Sequence, residues 1–122
     1  MSMVKDVDTF LNKFNLKYDG GPRRLPSKVR LERSRHMTEE LTEYMKAESI
    51  EDEFDALIDL VYIAIGTARM QGLNFELGFI RVHQANMRKV KGGKDVFKGG
   101  VKKPNDWQKP YLKDLVDEDK DL

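Results

Sequence analysis

The apolar positions of this chain fall into helical period almost from its first residue. Val4, Val7, Phe10, Leu11 and Phe14 recur at the three- and four-residue spacing of one helix face, which predicts a short amphipathic helix over about 3–15. Tyr18-Asp-Gly-Gly-Pro22 interrupts the pattern, and Pro26-Ser27 lead into a new start. Met37, Leu41, Tyr44 and Met45 mark the core stripe of a second helix, over about 28–47. The third, over about 50–71, is the most apolar. Between Ala56 and Ile65 only Asp59 is neither aliphatic nor aromatic, so the helix is expected to be buried on most of its circumference, with Gly72 as its terminator. Phe75, Phe79, Val82 and Met87 predict a fourth helix over about 75–90. Short connections between the last three favour antiparallel neighbours, and the expected fold is all-α, a four-helix-bundle-like unit.

Beyond Lys91 the period is lost. Paired glycines at 92–93 and 99–100 flank a short Val96-Phe97 core, which suits a turn or small hairpin. Trp107, in Lys102-Lys-Pro-Asn-Asp-Trp-Gln-Lys-Pro110, is expected to dock the tail, while the acidic stretch from Asp114 to Leu122 is expected to fray. The whole reads as a single domain over 1–122, with a helical core over about 3–90 and an irregular tail over 91–122.

Composition narrows the classes. Twenty-two basic and 21 acidic residues nearly cancel, so no overall charge drives the chain to nucleic acid or to a membrane. The absence of cysteine excludes disulfides and thiol catalysis. The N-terminus lacks the apolar run of a signal peptide, and no apolar stretch reaches membrane-spanning length, so a cytoplasmic protein is expected.

The chemistry lies in the two central helices. Asp59 sits in an apolar run, and an ionised carboxylate taken out of water without a partner costs several kcal/mol. Asp55, four residues earlier on the same face, adds negative charge instead of cancelling it, and Asp52 extends the stripe. On the second helix Glu40 and Glu43 flank the apolar stripe, with Arg33 and His36 on the same flank, while Glu39 points away. Folding one helix on the other gathers four carboxylates, Glu40, Glu43, Asp55 and Asp59, at the rim of one core. Such hard oxygen ligands suit Mg²⁺, with Mn²⁺ as a substitute, and the shortage of Cys and His argues against zinc. Against this stands the ordinary solvated Glu-rich helix face.

Glu39-Glu40-Leu-Thr-Glu43 followed by an acidic, apolar helix resembles the metal motif of the all-α nucleoside triphosphate pyrophosphohydrolases, the superfamily of the MazG proteins. Asp55-Ala-Leu-Ile-Asp59-Leu-Val-Tyr62, Gly66-Thr67-Ala68 and Val82-His83-Gln-Ala-Asn86-Met87-Arg-Lys89 look most like its phosphoribosyl-ATP pyrophosphohydrolase branch. The resemblance covers roughly residues 29–110. It implies Glu40, Glu43 and Asp59 as metal ligands, with Asp55 next. Glu39 or Glu43 would orient or deprotonate the attacking water. The MazG pattern requires a carboxylate at position 56, where this chain has Ala56; Asp55 can still reach the same face. The implied activity is Mg²⁺-dependent cleavage of a (deoxy)nucleoside triphosphate to monophosphate and pyrophosphate, and the implied assembly is a homodimer or homotetramer. The alternatives are phosphoribosyl-ATP as substrate, or a non-catalytic helical module that binds protein or nucleic acid.

Between Arg81 and Lys103 lie eight Lys or Arg residues and one acid, Asp95. A solvated basic loop explains this equally well. Nucleic-acid binding is disfavoured, because Phe97 is the only aromatic interleaved. Lys89, Lys94 and Lys98 can offer charge to a triphosphate. His83, Asn86 and Lys89 fall at three-residue spacing along one helix flank, where Asn86 suits a base edge or ribose hydroxyl and Lys89 a phosphate.

Overall fold

The computed structural model describes residues 2–92 and 100–117. Among them are helices α1 (Met3–Lys13), α2 (Ser27–Lys46), α3 (Ile50–Met70), α4 (Phe75–Met87) and α5 (Lys113–Val116), and two short strands, β1 (Val90–Lys91) and β2 (Val101–Lys102). The fold is all-α, as the periodicity predicts. The chain divides into two compact units, Met1–Phe75 and Glu76–Leu122.

Helices α1 and α3 begin and end at local signals. Ser2 caps α1, accepting from Lys5 N at 3.2 Å, with Asp6 in the first turn and Lys13 in the last. The helix stops earlier than the apolar pattern implies. Asn15 takes a left-handed conformation (φ 61°), and Leu16 N donates to Leu11 O at 2.8 Å, the closing bond of a Schellman end. Ser49 caps α3 by accepting from Asp52 N at 3.1 Å, and Glu51, Asp52 and Glu53 place negative charge at its amino end. Asp52 thus has a structural explanation apart from any site.

At the other end of α3, Gly72 (φ 72°) makes the turn; a side chain there would lie 2.8 Å from the Gly20 and Gly21 carbonyl oxygens. Arg23 completes that end, its Nε and Nη2 donating to Met70 O at 3.1 and 3.0 Å while its guanidinium stacks 3.7 Å from the centre of the Tyr18 ring. The loop between α1 and α2 is therefore bound to the carboxyl end of α3.

Val7 and Leu11 of α1, Leu25, and Ile65 and Met70 of α3 form the core, with Val4, Val29 and Phe75 packed against it. Two sequence expectations change here. α3 is not buried round most of its girth: Phe54, Leu57, Ile58 and Val61 are exposed, because α1 and α2 cover only part of it. On α2 the expected core stripe faces outward. Leu41, Tyr44 and Met45 are exposed, whereas Glu40 on the polar flank is buried at 9% exposure, because α2 meets α3 through the face that carries Arg33 and Glu40.

In the second unit Ala85 of α4 is buried, and its carbonyl accepts from Trp107 Nε1 at 2.6 Å, so the tail docks through Trp107 as expected. β1 pairs antiparallel with β2, Val90 opposite Lys102. The expected Val96-Phe97 core of the turn lies outside the described residues. The stretch expected to fray is ordered at its start, and residues 118–122 lie outside the described residues. Asp114 belongs to α5 and takes both terminal nitrogens of Arg81, Nη2 to Oδ2 at 2.9 Å, so a charge-assisted fork ties this part of the tail to α4. No single helix among the described residues is long and apolar enough to cross a membrane.

Candidate active site

α2 and α3 run antiparallel, and the carboxylates of one helix meet those of the other. Glu40 is the most buried of the set, Asp59 is half-buried, and Glu39, Glu43 and Asp55 are exposed. The sequence gives Asp59 the worst environment, but the structure gives it to Glu40. Two cavities share this seam. One, of about 610 Å³, is lined by Glu39, Glu43, Asp52 and Asp55 with Thr38, Thr42, Lys46 and Ala47. The other, of about 350 Å³, takes in Glu40 and Asp59 beside Arg33 and His36, closed by apolar groups of α1 and α3 that include Phe10 and Tyr62. Those two rings meet edge to face, 5.4 Å between centroids.

The electrostatics follow from this crowding. Burial, followed by the Glu43 carboxyl within hydrogen-bonding reach, and then the charges of Glu43, Asp59 and Asp55, push Glu40 up to about 7. Burial raises Asp59 as well, helped by Asp55 and Glu43 and opposed by His36. His36 Nε2 stands 3.8 Å from Glu40 Oε1. Glu40 Oε2 is buried and accepts from no donor. A buried carboxylate oxygen is normally satisfied; this one has acceptors for neighbours. The four carboxylates feel one another as one charge set, although among the described residues no three metal-ligating side chains converge closely enough to hold an ion as they are placed.

The other sequence candidates belong to the second unit. His83 and Asn86 are exposed on α4. The helix ends at Met87, so Lys89 lies beyond it and not on its flank, with its Nζ 5.4 Å from the centre of the Trp107 ring. Lys94 and Lys98 fall outside the described residues. Arg33, Gly66 and Thr67 meet where α2 crosses α3, a grouping that the sequence pattern does not predict; its one sequence signal is spacing, since Arg33 stands seven residues before Glu40, two turns along the same face.

A sequence family described as Phosphoribosyl-ATP pyrophosphohydrolase matches residues 7–86, from within α1 to the last turn of α4, and so includes both acidic helices. No curated protein matches the chain. With two thirds of its length matched, including every carboxylate of the seam, the chain belongs to the phosphoribosyl-ATP pyrophosphohydrolase family, hydrolases of pyrophosphate bonds within the MazG-like all-α superfamily.

Proposed function

We propose that the protein is a Mg²⁺-dependent pyrophosphohydrolase that cleaves a (deoxy)nucleoside triphosphate between its α and β phosphorus atoms, releasing monophosphate and pyrophosphate. One observation carries this reading: Glu40 is buried among other carboxylates with an oxygen that no donor meets. A hard divalent cation fits that donor set, since it would satisfy the stranded oxygen and relieve the mutual repulsion of Glu40, Glu43, Asp55 and Asp59, the residues that would hold it. When bound, Mg²⁺ (or Mn²⁺) supplies charge neutralisation at the phosphate oxygens and a more acidic water. Glu39 or Glu43, both exposed on the wall of the larger cavity, orients the attacking water and takes its proton on a carboxylate oxygen. The single domain acts in the cytoplasm, where nucleotides are held.

A second reading, phosphoribosyl-ATP as the substrate, is favoured by the family match. Both substrates present the same phosphoanhydride to the same carboxylates. We further propose that the protein works as a homodimer or homotetramer. Leu41 and Met45 on α2 and Phe54, Leu57, Ile58 and Val61 on α3 leave apolar surface exposed that a second copy would cover.

The test is pyrophosphate release from phosphoribosyl-ATP and from a panel of ribo- and deoxyribonucleoside triphosphates, with Mg²⁺, with Mn²⁺ and with chelator. Metal-dependent release from one or more of them is expected. No release from any, with no metal-dependent shift in melting temperature, would overturn the reading.

A further inference from the structure

The opposition of the carboxylates depends on the register between α2 and α3, and a polar contact at the crossing fixes it. Arg33 Nε donates to Thr67 Oγ1 at 2.9 Å, and Arg33 Nη2 donates to Ile63 O at 3.1 Å. Thr67 Oγ1 donates to the same Ile63 carbonyl at 2.7 Å, so two residues of α3 form a closed acceptor for one guanidinium edge. Gly66 provides the room. A side chain there would begin 2.9 Å from Arg33 Nη2, too close for both to stay in place.

This contact is costly to build. Burial lowers the pKa of Arg33, because its charge is partly taken out of water while its hydrogen bonds go to neutral groups. A surface arginine tying two helices together would find a carboxylate or solvent more cheaply. What the fork supplies is direction: two donors in a fixed plane resist both sliding and rotation, which a lysine cannot do.

The spacing connects this contact to the seam. Seven residues separate Arg33 from Glu40 on α2, and seven separate Gly66 from Asp59 on α3. Each interval is two turns, about 10 Å at 1.5 Å per residue. Glu43 and Asp55 follow one turn further, and Arg33, His36, Glu40, Asp59, Ile63 and Gly66 all line one cavity. A slip of one residue along the crossing would displace each carboxylate by about 1.5 Å, enough to ruin a ligand set that tolerates about half an ångström.

We propose that Arg33 is a positioning residue. With Thr67 and Gly66 it locks the register at which Glu40 and Glu43 oppose Asp59 and Asp55, and so sets the affinity of those carboxylates for a divalent cation. This rests on the metal reading given above. Arg33 acts through geometry, and touches neither metal nor substrate.

The test uses Mn²⁺ binding to the full chain, read by electron paramagnetic resonance of the free ion, beside far-ultraviolet circular dichroism and steady-state kinetics. Arg33→Lys keeps the charge and loses the fork. Gly66→Ala keeps Arg33 and crowds it, while placing a better helix former in α3. Thr67→Val removes the hydroxyl, and Thr67→Ser restores it. The first three should each weaken Mn²⁺ binding by about tenfold, the lower end of what lost ligand support costs, with helix content kept and kcat reduced more than KM is raised. Thr67→Ser should bind as the wild type does. If Arg33→Lys does not fold, the Thr67 pair and Gly66→Ala make the same comparison. Wild-type Mn²⁺ affinity in Gly66→Ala and Thr67→Val would overturn the proposal. So would a raised KM with Mn²⁺ affinity and kcat unchanged, which would put Arg33 on the substrate. Failure of the wild type itself to bind Mn²⁺ would overturn the metal reading and this proposal with it.

Discussion

Asp8 and Arg69 meet across 61 positions of chain, Arg69 Nε donating to Asp8 Oδ1 at 2.8 Å while Arg69 Nη1 donates to Leu73 O at 2.8 Å. The pair ties α1 to the last turn of α3 and stands more than a quarter exposed on both sides. Solvent screens such pairs, so Asp8→Asn should cost about 1 kcal/mol, the upper end for exposed ion pairs. Urea unfolding should show that loss with pyrophosphate release unchanged. Loss of hydrolysis at unchanged stability would give Asp8 a part in the site.

Glu40 makes the metal-free protein sensitive to pH in an unusual direction. Its folded-state pKa, raised to about 7 by burial and neighbouring acids, exceeds the ordinary 4.5 of the unfolded chain. The folded state therefore holds the proton more tightly. The stability from that proton is fully present below about 4.5, declines as pH rises, and is gone above about 7. In chelator, the urea midpoint should fall between about pH 5 and about pH 7.5, and Glu40→Gln should flatten the fall. A wild-type midpoint that climbs over this range would contradict the assignment. Mg²⁺ should restore the lost stability at the upper end.

Asp59 separates charge from shape. Asp59→Asn preserves size and removes one of the mutually repelling charges, so stability without metal should rise or stay level. Mg²⁺ should no longer raise the melting temperature much, and pyrophosphate release should fall by at least ~100-fold, the scale of lost transition-state electrostatics. Glu51→Gln, in the first turn of α3, is the control and should change little. Near-normal hydrolysis in a destabilised Asp59→Asn protein would make Asp59 a structural carboxylate.

The exposed apolar residues of α2 and α3 can be tested by charge. Leu57→Glu and Met45→Glu should convert an oligomer into a monomer in sedimentation velocity, leaving helix content unchanged. An unaltered sedimentation coefficient in both would remove these helices from the interface.

Lys89→Ala separates two uses of the ammonium charge. If it meets substrate phosphate, Lys89→Ala should raise KM while the metal-dependent melting shift stays intact. If its role is confined to the Trp107 ring, only tryptophan fluorescence should change.

The helices were readable from the sequence because apolar period and end residues act locally. Gly72 ends α3 for a reason visible in a few residues of sequence. The acidic set was readable for a similar reason, since carboxylates three and four apart on a helix share a face. What stayed hidden depends on partners distant in sequence. Period shows that α2 has an apolar stripe at Leu41 and Met45, but not that its other flank, with Arg33 and Glu40, packs inward. The fork from Arg33 to Thr67 and Ile63 spans 34 and 30 positions, and its only local trace is the seven-residue step from Arg33 to Glu40. The left-handed Asn15 has no sequence signal, because the apolar pattern runs through Phe14 without a break.

Trp107, the sole tryptophan, has its indole N–H on the Ala85 carbonyl and the ammonium of Lys103 4.7 Å from its ring centre. Both partners belong to the second unit, as Trp107 does, so intrinsic fluorescence is a local optical probe. A denaturation curve followed by emission records the tail leaving α4, whereas circular dichroism is dominated by the longer α2 and α3. Divergence of the two curves would measure how far the halves of this small protein melt independently. Coincidence would mean that a single emission trace reports on the acidic helices as well.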